Sequence, residues 1–230
     1  MLCKLCLSAN VAQLPFAVPA DRGTWVRCGE CGSDSNSVDY DEIKHIYNPA
    51  NSAKAVDITG GAEKRREQVS SNCDWFEHHR DKRLPKDFLD IGCLEGSVLD
   101  VMQCAHGWSV HGFDVFNSPD HGGHITVNSF FSEWLFPQKY AAVMCREVFE
   151  HVPAPNLFLH QCFYATMPHG LFQVQTPIPL DHYNEMVYQV LHLFLVSPKQ
   201  LRKMLGEAMF DILDERHWDI GQAFLCRARG

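Results

Sequence analysis

The chain has 230 residues, of which 46% are hydrophobic and 21% are charged, as in soluble globular proteins with a sizeable core. Its formal net charge of -8 argues against nucleic acid or an anionic membrane as the partner. No apolar run approaches the ~20 residues that span a bilayer, and the N-terminal stretch lacks the basic leader of a signal peptide. Ten cysteines without a secretory signal therefore predict reduced thiols and a cytoplasmic protein.

The first feature in chain order is a pair of C-x2-C motifs, formed by Cys3 with Cys6 and by Cys28 with Cys31. Four thiolates from two tight turns match the tetrahedral sulfur coordination that zinc accepts. Ordinary buried cysteines or a redox dithiol are the simpler alternatives, but a segment this short cannot build a core of its own. We expect a zinc-binding module over residues 1–40, with a structural ion because cysteine fills all four positions.

The rest of the chain divides into a polar segment, 41–86, and an alternation of apolar runs with amphipathic stretches, 87–230. We interpret 41–86 as a helical lead-in and 87–230 as an α/β domain with a largely parallel sheet. The predicted strands are 88–91, 109–115, 124–127, 140–145, 170–175, 210–214 and 223–227. The predicted helices are 96–105, 155–166, 182–193 and 198–207.

A glycine-bearing turn follows the first of these strands, in the sequence FLDIGCLEG. Asp90 precedes Gly92 by two residues, and Gly96 opens the next helix. Asp114 ends the second strand, where a carboxylate accepts hydrogen bonds from ribose hydroxyls. The spacing differs from G-x-G-x-x-G because Leu94 stands between the glycines, and an acid before the first glycine would repel a pyrophosphate. An adenosyl cofactor with a cationic end is therefore favoured over a dinucleotide.

These motifs together resemble those of class I S-adenosylmethionine-dependent methyltransferases. The matching sequences are FLDIGCLEG, VHGFDVF, VFEHVPAP and MPHGLFQVQTP, in the order and spacing of that family, and the resemblance covers residues 86–229. The resemblance implies a Rossmann-like seven-stranded sheet with helices on both faces and S-adenosylmethionine as cofactor. The N-terminal cysteines resemble a subgroup with a four-cysteine zinc ribbon, several members of which methylate sugars or natural-product intermediates.

The resemblance also assigns the cofactor-binding residues. The methionyl part would lie beside the glycine turn, the ribose on the acid of the second strand, and the adenine beside the residues after the second and third strands. The sulfonium would lie where the fourth strand ends. In this sequence the residues are Asp90, Gly92, Cys93 and Gly96, then Asp114, Val115 and Phe116, then Asn128, Ser129 and Phe130, and finally Cys145, Arg146 and Glu147.

Catalytic candidates follow the fourth strand in the sequence FEHVP. Methyl transfer from a sulfonium is an in-line displacement, and a general base helps only if the acceptor is a hydroxyl or a carbon acid. Glu150 and His151 are the candidates because histidine ordinarily titrates near neutrality. Bracing the next helix is the alternative role for both. The segment 177–192 is the expected substrate lid, and whether His192 contacts the acceptor or only packs is open.

Three functions are consistent with the sequence, and the first is methylation of a small-molecule acceptor with no membrane association and an undetermined oligomeric state. The second is an RNA methyltransferase with a zinc module, against which the acidic balance stands. The third is a non-catalytic protein that keeps the fold. Leu94 bears on the third, since it is tolerable in the turn if its backbone avoids positive φ and its side chain points away from the ligand.

Overall fold

The fold is that of a computed structural model, which describes residues 1–44, 62–94, 96–115, 125–127 and 138–230, with the backbone alone for 62–69 and 125–127. Two sheets organise the chain. The larger has seven strands and the smaller has four. The strands in chain order are β1 Val11–Gln13, β2 Trp25–Cys28, β3 Asp34–Asn36, β4 Asp87–Ile91, β5 Ser109–Asp114, β6 Ile125–Val127, β7 Tyr140–Arg146, β8 Thr166–Pro177, β9 Phe194–Leu195, β10 Phe210–Trp218 and β11 Gly221–Ala228.

The seven-stranded sheet has the order β10-β11-β8-β7-β4-β5-β6. Strands β6, β5, β4, β7 and β8 run parallel, whereas β11 pairs antiparallel with both β8 and β10. The chain moves from β4 outward through β5 and β6 and then returns to the other side of β4 with β7. Ligands of open α/β sheets bind where the strand order reverses in this way, at the carboxyl ends of the strands. The sheet therefore directs attention to the ends of β4, β5 and β7.

Five helices accompany the strands in the described ranges: α1 Tyr40–Ile43, α2 Ala62–His79, α3 Ser97–His106, α4 Pro155–Ala165 and α5 Pro198–Glu207. The predicted starts of the last two are confirmed. Pro155 and Pro198 occupy the first turns, and the Ser197 side chain accepts a hydrogen bond from the Gln200 backbone amide. None of the described helices is both long and apolar enough to cross a membrane.

The two faces of the large sheet carry separate apolar cores, as the alternation of side chains along a strand requires. In β4, Phe88 packs into one core with Trp75 and Phe76 of α2, while Leu89 packs into the other. The core that contains Leu89 also includes Phe158 of α4. Covered on both faces, the strands have nearly continuous apolar sequences, and this is why the pattern predicted them well.

The N-terminal sheet has the order β1-β2-β3-β9, and its last strand comes from far along the chain. Residues Phe194–Leu195 pair antiparallel with Asp34 and Ser35. The helix predicted over 182–193 is wrong, because that segment consists of turns leading into β9. Its apolar side chains are held by the N-terminal sheet: Tyr188 packs edge-to-face on Trp25 at 5.2 Å between ring centroids. These tertiary contacts override the helical pattern of the segment.

Candidate active site

The turn after β4 is a tight glycine turn held against the neighbouring strand. The backbone amide of Gly92 donates to the carbonyl of Phe113 at 2.7 Å. Gly92 has φ +81°, and a Cβ built there would lie 2.2 Å from Cγ2 of Val148. Only glycine fits this position without movement, because both the conformation and the space exclude a side chain. The turn therefore packs closely on the segment that follows β7.

Asp114 connects the second strand directly to this turn. Its carboxylate is 3% exposed, and Oδ2 accepts a hydrogen bond from the Leu94 backbone amide at 2.7 Å. Asp90, at the end of β4, is 2% exposed. Two carboxylates thus end adjacent parallel strands beside a glycine turn. This set of groups fits a ligand with a cationic amino group and ribose hydroxyls.

The backbone of Leu94 does not meet the condition of avoiding positive φ, since its φ is +44°. The bond from its amide to Asp114 accounts for this conformation, because it draws the backbone of the turn toward the end of β5. A residue with a Cβ in this region is strained by about 1–2 kcal/mol. The strain is local to the turn that the sequence predicts as cofactor-binding.

The end of β7 contributes a second strained residue. Glu147 has φ +52°, and its amide donates to the carbonyl of Gln175 at 2.9 Å. The exposed Glu147 carboxylate accepts from the Gln175 side-chain amide at 3.0 Å. Cys145 is fully buried, and burial raises the pKa of its thiol well above the usual range. Cys145 is thus a protonated core residue, while Arg146 and Glu147 follow it at the sheet edge.

The predicted cofactor residues divide into two groups in the structure. The ends of β4, β5 and β7, with Gly96 at the N-terminus of α3, lie at one edge of the sheet. Cys93 is buried in the turn, and Val115 is partly exposed after Asp114. The other predicted residues fall outside the described ranges: Phe116, Asn128, Ser129 and Phe130.

Glu150, His151 and His192 form a cluster beside the same edge, in which Glu150 and His192 are buried and His151 is partly buried. Glu150 and His151 lie in a short 3-10 turn, Phe149–His151, after β7, and His192 precedes β9. Oε1 of Glu150 lies 3.8 Å from Nε2 of His151 and 4.0 Å from Nε2 of His192. The other carboxylate oxygen accepts a hydrogen bond from the Thr176 hydroxyl at 3.0 Å. Sequence analysis left the role of His192 open, and no pattern near it indicated contact with Glu150.

Burial determines the protonation of this cluster. Desolvation lowers the pKa of His151 to about 4 and that of His192 to about 3, so both rings are neutral at neutral pH. Desolvation raises the pKa of Glu150 well above its usual range, and the nearby Glu147 carboxylate adds to this shift. The expectation that His151 titrates near neutrality is wrong for this reason. The buried ring is a weaker base than an exposed histidine.

The four N-terminal cysteines come together at the start of the chain. The Sγ atoms of Cys3 and Cys31 are 3.6 Å apart, and those of Cys6 and Cys28 are 3.5 Å apart. All four sulfurs lie within 4.8 Å of one another. Sulfurs around tetrahedral zinc, each at ~2.3 Å from the ion, are about 3.8 Å apart. The donor set therefore fits a closed four-thiolate zinc site.

Comparison with known proteins identifies the class of protein. A parallel sheet with a glycine turn and an acid at its switch point is the architecture of nucleotide-type cofactor sites. The model of a methyltransferase-domain family matches residues 62–215, which is more than half of the chain. The chain belongs to this methyltransferase-domain family. Its match begins within the segment predicted as the helical lead-in.

Curated relatives are more distant. The ubiquinone biosynthesis O-methyltransferase of Erwinia tasmaniensis is 27% identical over 153 residues, covering 61% of this chain and 62% of the relative. The enzyme of the same name from Pseudomonas fluorescens strain Pf0-1 is 29% identical over 97 residues, covering 37% of this chain and 41% of the relative. The chain thus matches less than two thirds of the length of these relatives.

Solved structures share the fold at low sequence identity. The 1,6-didemethyltoxoflavin-N1-methyltransferase of Burkholderia thailandensis, with bound 1,6-didemethyltoxoflavin and S-adenosylhomocysteine, has a TM-score of 0.62 at 14% identity, covering 86% of this chain and 96% of that one. Phosphoethanolamine N-methyltransferase 2 of Haemonchus contortus, in complex with S-adenosyl-L-methionine, has a TM-score of 0.63 at 12% identity, covering 84% and 60%. The [4+2]-cyclase SpnF has a TM-score of 0.54 at 12% identity, covering 70% and 80%.

Proposed function

We propose that the protein transfers a methyl group from S-adenosylmethionine to a small-molecule acceptor. The observation that carries the proposal is the bond between Asp114 and the Leu94 amide, which joins the acid of β5 to the glycine turn of β4. Membership of the methyltransferase-domain family supports it. The solved structures with bound S-adenosylhomocysteine or S-adenosylmethionine are consistent with the same cofactor.

Within this proposal, the sheet edge binds each part of the cofactor. The methionyl end lies on the glycine turn beside the Asp90 carboxylate. The ribose lies on Asp114 at the end of β5, and the sulfonium lies where β7 ends. Adenine contacts come from the residues after β5 and β6. The residues in these roles are those predicted from the sequence: Asp90, Gly92, Cys93, Gly96, Asp114, Val115, Phe116, Asn128, Ser129, Phe130, Cys145, Arg146 and Glu147.

The cofactor, when bound, supplies a methyl group on a sulfonium, and the chain's own residues orient the acceptor and exclude water. His151 donates its Nδ1–H to the carbonyl of Leu191 at 2.9 Å, so Nε2 is its proton-accepting atom. With a pKa of about 4, His151 takes a proton only from an acceptor acidified by its surroundings. Burial raises the pKa of Glu150 well above its usual range, because desolvation disfavours the ionised form. His151 is therefore our preferred base, and positioning the lid is the role left to Glu150.

The N-terminal module is structural in this proposal. Cys3, Cys6, Cys28 and Cys31 hold zinc and thereby fix the small sheet. We keep the boundaries 1–40 for the module, 41–86 for the lead-in and 87–230 for the methyltransferase domain. The abundance of cysteine favours a reducing compartment such as the cytoplasm.

Calorimetry with S-adenosylhomocysteine tests the proposed function. We expect one binding site per chain in the parent protein and at least tenfold weaker binding in Asp114→Ala. The matched control is Asp100→Ala, which removes an exposed acid of α3 and leaves affinity unchanged. Folded parent protein that binds neither S-adenosylmethionine nor S-adenosylhomocysteine would contradict the proposal. Equal affinity in Asp114→Ala and the parent would show that the ribose lies elsewhere.

A further inference from the structure

Three ligand-type atoms converge beside the sheet edge. They are Oε1 of Glu150 and the Nε2 atoms of His151 and His192, all within 4.8 Å of one another. The carboxylate oxygen is 3.8 and 4.0 Å from the two nitrogens. These separations exceed hydrogen-bond length, yet each is close enough for one ion to contact all three atoms.

Both histidines are held in the tautomer that directs a lone pair into the cluster. Nδ1 of His151 lies 2.9 Å from the Leu191 carbonyl oxygen, and Nδ1 of His192 lies 2.7 Å from the Val187 carbonyl oxygen. A carbonyl only accepts, so each Nδ1 carries the proton and each neutral ring keeps its lone pair on Nε2. Metal-binding histidines are typically oriented in this way, by donating the other ring N–H to a backbone carbonyl.

Glu150 supplies the strongest indication of a missing partner. Its side chain is 0% exposed, and Oε2 is satisfied by the Thr176 hydroxyl. In the part of the chain that the structure describes, Oε1 is buried and accepts no hydrogen bond. The Glu147 carboxylate is the other acidic group facing Glu150, and it adds to the rise in the pKa of Glu150. A buried polar atom without a partner costs about 1–3 kcal/mol, and a cation at this point would remove that cost.

We propose that Glu150, His151 and His192 bind a divalent transition-metal ion, separate from the four-cysteine zinc site. Two imidazoles and one carboxylate suit manganese, iron and zinc. Ligand atoms at ~2.1 Å from such an ion are about 3.0–3.4 Å apart, so the two distances from the Glu150 oxygen to the histidine nitrogens contract by roughly 1 Å or less on binding. His192 belongs to the lid and the other two to the sheet edge, so the ion fastens the lid to the sheet.

The composition of the site gives it a different character from the cysteine cluster. Three protein ligands leave at least one coordination position open, as in catalytic rather than structural metal centres. That position is available to an oxygen atom of the acceptor. With Nε2 of His151 on the ion, His151 would be a metal ligand and not the base, and the ion would acidify the acceptor. This last step alone rests on the proposed function, whereas metal binding itself does not.

Manganese is the probe because it disfavours thiolates and leaves the zinc module occupied. Protein is dialysed against EDTA, its retained zinc is measured, and Mn²⁺ is then titrated while the free Mn²⁺ signal is followed by electron paramagnetic resonance. We expect one Mn²⁺ per chain in the parent and at least tenfold weaker binding in His192→Ala and in the near-isosteric Glu150→Gln. His160→Ala is the matched control, since His160 is exposed on α4, and it binds Mn²⁺ as the parent does.

Folding and function are read out separately. Thermal unfolding and S-adenosylhomocysteine binding establish that each variant is folded, and Mn²⁺ should raise the Tm of the parent and of His160→Ala only. A parent that takes up no more Mn²⁺ than Glu150→Gln would overturn the metal site, whatever its affinity for S-adenosylhomocysteine. A parent that binds Mn²⁺ but no S-adenosylhomocysteine would overturn the proposed function and leave the metal site standing.

Discussion

The two clusters of ligand-type side chains in this protein are built in opposite ways. In the N-terminal sheet, four cysteines from two adjacent turns meet with sulfur separations of 3.5 and 3.6 Å. At the edge of the large sheet, Glu150 and His151 meet His192, which is about 40 residues further along the chain. Oε1 of Glu150 lies 3.8 Å from Nε2 of His151 and 4.0 Å from Nε2 of His192. The first cluster is local, complete and all sulfur. The second is assembled by the tertiary fold and has a position open for a ligand.

The lid, residues 177–192, connects these two regions. The side-chain amide of Asn36 in β3 donates to the carbonyl of His192 at 3.2 Å. The hydroxyl of Tyr188 donates to the buried Asp34 carboxylate at 2.9 Å. The N-terminal module therefore holds the segment that presents His192, although it contributes no side chain to the candidate active site.

The largest expected effect comes from breaking the local cluster. We expect Cys28→Ser to lose stoichiometric zinc and to destabilise the N-terminal sheet by on the order of 5 kcal/mol or more, because folding of such modules depends on the metal. Metal analysis and limited proteolysis within residues 1–36 measure this. Cys104→Ser is the control, since Cys104 is exposed in α3. Wild-type zinc content and protease resistance in Cys28→Ser would show that the thiols hold no structural metal.

The glycine turn at the large sheet gives the next largest effect. Gly92→Ala places a Cβ 2.2 Å from Val148 at φ +81°. We expect a loss of about 2–5 kcal/mol from backbone strain and overpacking together. Gly107→Ala is the matched control: Gly107 has φ +67°, but a Cβ built there would meet no atom within 4 Å beyond its chain neighbours in the described part of the chain, so only the strain of about 1–2 kcal/mol remains.

Chemical denaturation of both variants separates the two causes. The difference between their losses in the free energy of unfolding measures the cost of the clash with Val148. Adding Val148→Ala to Gly92→Ala should recover part of that stability. Equal losses in Gly92→Ala and Gly107→Ala would mean that the turn does not pack on the segment after β7 as the structure has it.

The two regions differ in how far the sequence could predict them, and the reason is physical. The glycine turn, Asp114 and the cysteine quartet are local signals, in which an apolar run, its terminating acid or a fixed spacing carries the information. The pairing of β9 with β3 and the contact of His192 with Glu150 depend on residues distant in sequence. The segment 182–193 has a helical pattern, but Asp34 and Trp25 bury Tyr188 in another conformation.

A smaller effect tests the connection between the module and the lid. Tyr188→Phe removes the hydroxyl that donates to Asp34 and accepts from the Leu180 amide at 2.9 Å. The Asp34 carboxylate and the Leu180 amide then stay buried without this hydrogen-bond partner. We therefore expect a loss of about 1–3 kcal/mol in the free energy of unfolding. Tyr183→Phe, at a partly exposed position in the same segment, should be nearly neutral.

A double-mutant cycle makes this test specific to the connection. In a Cys28→Ser background, where the N-terminal sheet is loosened, the Tyr188→Phe change should cost measurably less, because Asp34 is no longer fixed opposite the ring. Strictly additive losses would indicate that Tyr188 stabilises the lid without the N-terminal module.

The smallest expected effect concerns Leu94, in the turn that Asp114 holds. Leu94→Gly and Leu94→Ala both remove the leucine side chain and differ only in the Cβ, which is strained at φ +44°. Relief of ~1–2 kcal/mol of strain outweighs the extra chain entropy of glycine, about 0.4–1 kcal/mol, so the glycine variant should be more stable by up to about 1.5 kcal/mol. At Asp100, inside α3, the order reverses, and glycine should be about 1 kcal/mol less stable than alanine. Denaturant unfolding of the four variants gives the sign at each position. If Leu94→Ala is as stable as Leu94→Gly or more stable, the strained turn does not persist in solution. The bond from the amide of residue 94 to Asp114 is then weaker than the structure indicates.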